Sequence, residues 1–159
     1  MKVKVKRSDL FLMQVAVDAL AQVKGSCKFA YGLAKNKKVL DDEVSSMREG
    51  LKPDKDFMDF ENKRVALCAK YAEKGEDGQP KIVNNAYVGV LGNKEFEKEV
   101  EALNKESKAI LDDRQKQLDS FNDMIKEEVE LELWAIKLDE IPDDVTAEQL
   151  GPLQPIITE

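Results

Sequence analysis

An apolar row runs through the first third of the chain and barely stops: Met13, Ala16, Leu20, Val23, Cys27, Ala30, Leu33, Leu40, Val44, Met47 and Leu51. Steps of three, four and seven residues set these side chains on one side of an α-helix. Ser8 or Asp9 is placed to cap its start, and no proline interrupts it. Read as one helix from about Asp9 to Leu51, it is a rod of roughly 60 Å at 1.5 Å per residue. Such a rod cannot bury its own stripe, so it needs a partner helix from elsewhere in the chain or from a second subunit. Gly25 and Gly32 fall inside the pattern, each costing about 1 kcal/mol relative to alanine. Two readings of them stay open: a break near Gly25-Ser26, or close packing of another helix against the missing side chains.

The other elements are shorter. Met1, Val3 and Val5 alternate with Lys2, Lys4 and Lys6, which reads as an edge strand guarded by lysines. Pro53 ends the first helix. A second follows over about Asp54 to Glu73, with Phe57, Phe60, Arg64, Leu67 or Cys68, and Tyr71 on its stripe, folding back antiparallel on the first. The run from Lys74 to Pro80 is a turn signal, and Asn84-Asn85 suits a tight hairpin between Lys81-Ile82-Val83 and Ala86–Val90. Asn93 caps a long helix to Lys126, and Glu128, Glu130 and Glu132 alternate with Val129, Leu131 and Leu133 in a late strand. Thr146 caps one short turn, and Leu153, Ile156 and Ile157 form a tail on apolar surface. The expectation is therefore an α+β, mostly helical fold in one domain over 1–159. It comprises a strand or arm at 1–7, a helical hairpin at 9–73, a β-hairpin at 81–90, a long helix at 94–126, a strand at 128–138 and a turn and tail at 139–159. The hairpin and the late strand are expected to build one small sheet.

Charge is uneven. Residues 1–38 carry nine Lys/Arg against Asp9 and Asp18, whereas Glu127 to Glu159 holds ten acids and only Lys137. The plain reading is solubility and intramolecular complementarity; the sharper one is an acidic surface, with Asp139, Glu140, Asp143 and Asp144 at its centre, that meets a basic partner. Direct nucleic-acid binding is not expected at pI 4.9. Cys27 and Cys68 are read as buried free thiols in a reducing compartment. The start lacks a signal-peptide apolar region, and Leu10–Leu20 is too short and too polar to span a membrane.

The chemistry is thin. With no histidine, Ser-His-Asp and Cys-His catalysis and histidine-containing zinc sites are excluded, and no phosphate-binding glycine loop occurs. Asp41-Asp42-Glu43 and Asp112-Asp113 fan around helices and do not converge on a metal, and Glu76-Asp77-Gly78 lacks the ligand alternation of a calcium loop. No catalytic, cofactor or metal residue is assigned. Glu61 and Arg64 are read as a structural i, i+3 pair. Trp134 and Tyr87 are candidate interface anchors, with core packing as the plainer role.

From Asp59 to Leu103 the chain reads as a helix with Glu61, Arg64, Leu67 and Tyr71, then EKGEDGQPKIVNNAYVGV, then KEFEKEVEAL. EEVELELWAIKLDEIP follows, and TAEQLGPLQPII closes the run. This order of turns and periodicities resembles small, acidic, uncharacterised proteins encoded by tailed bacteriophages. The resemblance implies phage origin and a place in the bacterial host cytoplasm or the virion; it supplies no activity. The expected function is thus non-enzymatic: binding a protein partner (a second copy, a phage structural protein or a host protein) in virion assembly or as a small structural component. The alternative is an inhibitor of a host defence or nucleic-acid enzyme that binds through the acidic surface.

Overall fold

A computed structural model describes all residues from Met1 to Glu159. The elements in order are β1 (Lys2–Lys6), α1 (Arg7–Leu20), α2 (Cys27–Gly50), α3 (Lys55–Tyr71), β2 (Ile82–Val83), β3 (Ala86–Tyr87), α4 (Lys94–Glu106), α5 (Lys108–Met124), β4 (Glu128–Glu132), β5 (Ile136–Lys137), α6 (Ala147–Leu150) and β6 (Ile157–Thr158). Short 3-10 turns lie at Leu138–Glu140 and Gly151–Ile156. The fold is α+β and mostly helical. It divides into two compact units, Met1–Lys52 with Asp119–Glu159, and Pro53–Leu118.

In the first unit the long apolar row is not one rod. α1 closes after Leu20 through turn bonds from Ala21 N–H to Val17 O (2.9 Å) and Val23 N–H to Leu20 O (3.0 Å). Ser26 then restarts the helix, its hydroxyl accepting from Phe29 N–H at 3.1 Å. The two halves face each other. Gln14 Nε2 donates to Asp41 Oδ1 at 2.6 Å, and Lys37 pairs with both Asp18 and Asp41. Residue 14 opposite 41 and residue 18 opposite 37 fix an antiparallel hairpin. Asp41 is therefore not a merely solvated acid: the Gln14 amide and the Lys37 ammonium hold its carboxyl below the ordinary range. Leu10, Met13, Val17 and Leu20 of α1 and Phe29, Leu33, Leu40, Val44 and Met47 of α2 enter one core, so the stripe finds its partner in its own other half.

β1 lies antiparallel to β4 with Lys2, Lys4 and Lys6 opposite Glu132, Glu130 and Glu128. Val3, Val5 and Leu131 bury the other face. The basic start and the acidic late strand thus neutralise each other across one ladder, reinforced by Lys2–Glu130 and Arg7–Glu127 pairs at 2.9 Å. The late strand is shorter than the periodicity suggests. It leaves the ladder after Leu133, and β5 pairs parallel with β6 instead. Thr146 and Gln149 form a reciprocal capping box on α6, and Leu153 and Ile156 close the core.

The second unit pairs α3 with α4. Asp54 caps α3, accepting from Phe57 N–H at 2.8 Å, and Asn93 caps α4. The Tyr71 and Phe96 rings meet edge-on at 6.0 Å. Glu99 accepts from Tyr71 Oη and Lys70 Nζ, both at 2.8 Å. Glu61 and Arg64 form a bidentate pair at 2.8 and 3.0 Å. The expected 94–126 helix is interrupted at Ser107, whose backbone (φ −96°, ψ 16°) leaves the helical region. The β2–β3 hairpin turns on Asn84 and Asn85, both at positive φ. It stands by itself: the late strand pairs with β1, so there are three two-stranded pairs in place of one sheet.

Candidate interaction surface

The N-terminal part of α2 serves as a platform for the segment that leaves β4. Leu133 and Ile136 point into the core, and Trp134 between them remains 40% exposed. Its position is set by Asn36, which is fully buried. Asn36 Nδ2 donates to Trp134 O at 2.9 Å, and Asn36 Oδ1 accepts from Trp134 N–H at 2.6 Å. One side-chain amide thereby supplies both bonds that a neighbouring strand would give. One turn earlier on α2, a Cβ at Gly32 would stand 2.7 Å from Trp134 Cδ1, so the indole lies where only glycine leaves room. The close partner at Gly32 is thus an indole and not a second helix. The Tyr31 ring meets the indole edge-on, centroids 5.3 Å apart and planes at 84°, a favourable quadrupole arrangement. Lys35 Nζ sits 5.6 Å from the Tyr31 centroid.

These groups border an open groove of about 490 Å³, lined by Met1, Tyr31, Lys35, Glu132 and Trp134 among others. Its base is fixed by backbone bonds between Met1 and Leu133, with Leu133 N–H to Met1 O at 2.9 Å and the Met1 amino group to Leu133 O at 2.5 Å. Further along the same platform, Lys28 Nζ reaches Glu140 Oε1 at 2.5 Å. The hydrogen bond to that carboxylate, with its charge and that of Asp139, raises the Lys28 pKa.

The residues singled out from sequence therefore separate. Trp134 and Glu140 come together on α2. Asp139, Asp143 and Asp144 are exposed in the same unit, and Glu140 is half-buried under Lys28. Tyr87 is half-buried in the hairpin of the other unit. Cys68 is buried as expected, but Cys27 is exposed: it opens α2, ahead of the turn at which the helix meets the core. Asn36, Tyr31 and Glu132 were not singled out, whereas Gly32 was, as a place of close packing or of a break. Asn36 carried a readable signal, a neutral polar residue at stripe spacing between Leu33 and Leu40.

No group of three or more Asp, Glu or Cys side chains converges to hold a metal ion, and no helix is long and apolar enough to cross a membrane. Compared with known protein families, curated proteins and solved structures, the chain matches none.

Proposed function

We propose that this is a non-enzymatic protein of a tailed bacteriophage that works by binding another protein, in virion assembly or as a small structural component, in the host cytoplasm or the virion. The turn-and-periodicity pattern supports the phage origin. The observation that carries the binding role is the held exposure of Trp134. A fully buried asparagine commits both its polar atoms to a backbone whose tryptophan stays open to solvent beside Tyr31. Rigid, half-exposed aromatics in a groove are the anchors around which interface energy concentrates. The partner we favour is a different protein. The stripe that argued for a second copy is closed within the α1–α2 hairpin.

The inhibitor reading rests on fewer charges than the sequence count suggests. Glu127, Glu130 and Glu140 already have cations within the chain, leaving Asp139, Asp143 and Asp144 of the four central acids unpaired. Affinity recovery of the tagged protein from its native host, repeated with Trp134→Ala and with the triple Asp139/Asp143/Asp144→Asn variant, separates the two. Loss of a stoichiometric partner in Trp134→Ala alone supports the groove. Loss in the triple variant alone supports the acidic surface.

A further inference from the structure

We propose that the groove takes an arginine side chain of the bound protein, its guanidinium stacked on the Trp134–Tyr31 corner and paired with Glu132. The inference rests on the protein-binding reading of the groove and names the chemistry of the partner there. Three observations carry it. The two rings stand at 84°, so they form adjoining walls, and aromatic faces attract cations most when the cation is partly desolvated. The Tyr31 ring already draws the chain's own cation, Lys35 Nζ at 5.6 Å, which shows what kind of group that ring accepts. Glu132 lines the same groove without an ion pair, although Glu127, Glu130 and Glu140 are each matched to Arg7, Lys2 and Lys28. Lys2, opposite Glu132 in the ladder, is bound to Glu130.

A planar guanidinium fits this corner better than an ammonium: it stacks on an indole and offers a carboxylate two parallel donors. The groove, at about 490 Å³, has room for it. The other positive groups on the groove wall are Lys35, drawn to Tyr31, and the Met1 amino group, bonded to the Leu133 carbonyl. Lys35 competes with the guest, which gives the proposal a signed consequence: removing the Lys35 charge tightens binding.

The probe is N-acetyl-arginine amide, titrated into the full chain while the indole N–H resonance of Trp134, the sole tryptophan, is followed by NMR. A saturable shift is expected, in the millimolar range usual for a fragment of this size, with the uncharged citrulline analogue several-fold weaker. Glu132→Gln should weaken the arginine probe about fivefold or more, and Lys35→Gln should tighten it about twofold to fivefold. Equal binding of the two probes, indifference to Glu132→Gln, or weakening by Lys35→Gln overturns the proposal. Partner recovery separates it from the broader reading. A partner lost with Trp134→Ala but kept with Glu132→Gln leaves protein binding standing and removes the arginine. A bound arginine probe with no partner lost in Trp134→Ala overturns the protein-binding reading and, with it, the assignment of the arginine to a partner protein, leaving only a site for the free guanidinium.

Discussion

Replacing Asn36 tests the device that fixes Trp134. Asn36→Ala leaves the Trp134 N–H and C=O without the bonds at 2.6 and 2.9 Å. An unsatisfied buried group costs about 1–3 kcal/mol, and water reaching this part-buried backbone recovers some of that, so the expected loss is about 2–3 kcal/mol. With a urea dependence of about 1–3 kcal/mol per molar, the midpoint falls by roughly 0.7–3 M. Trp134 fluorescence reads the unit that contains it. Asn36→Asp is more discriminating. It keeps the acceptor for Trp134 N–H but sets a carboxylate oxygen against the Trp134 carbonyl. Only the protonated acid restores the donor. Burial and the facing carbonyl raise the folded-state pKa of that acid above its unfolded value of ~3.9. The folded state then holds the proton more tightly. The variant is closest to wild type below about pH 4 and loses stability as pH rises through the raised folded-state pKa, with no further loss above it. Urea midpoints of Asn36→Asp and wild type, subtracted at each pH, isolate this group. A difference flat with pH, or a loss under about 0.5 kcal/mol in Asn36→Ala, refutes the two-bond clamp.

Other outcomes follow from the same packing. Gly32→Ala should red-shift Trp134 emission and forfeit the ~1 kcal/mol that alanine brings to an open helix site, because its Cβ meets the indole at 2.7 Å; Gly50→Ala, with nothing within 4 Å, should leave emission unchanged. A thiol reagent should modify Cys27 quickly in the native protein and Cys68 only after denaturation. The Tyr71 phenol should titrate above its ordinary range in an ultraviolet pH titration, because it donates to the Glu99 carboxylate, and Glu99→Gln should bring it down. Glu99 itself, held low by Lys70 and Tyr71, contributes stability above its unfolded pKa that is lost as pH falls through its depressed folded value. Glu99→Gln should therefore flatten the acid limb of the α3–α4 unit's pH–stability curve.

Much of this fold was legible because helical periodicity and caps are local. The stripe, the Asn93 and Thr146 caps and the Asn84-Asn85 turn all act within a few residues; the break at Gly25-Ser26 was one of two open readings, and α1 starts at Arg7 without the side-chain cap expected of Ser8 or Asp9. Pairings between distant segments were not. Nothing within MKVKVK states that its lysines will face Glu128, Glu130 and Glu132, although the opposite charges at matching period-two spacing were the available hint. The stripe could not say whether its partner was another chain or its own second half; the polar matches of Gln14 with Asp41 and Asp18 with Lys37 settle that only once the chain has turned. The groove was half visible. Trp134 stood out as a candidate anchor and Gly32 as a place of close packing, while Tyr31 and Asn36 looked like ordinary helix positions until the segment after β4 crossed them.

Site-specific photo-cross-linking tests the interface most directly. A benzophenone amino acid placed at Tyr31, on the rim of the groove, and separately at Lys116, exposed on α5 in the other unit, is activated in the native host. If the groove is the binding surface, Tyr31 yields one discrete protein adduct and Lys116 yields none. Silence at Tyr31, or the same adducts from both positions, contradicts it.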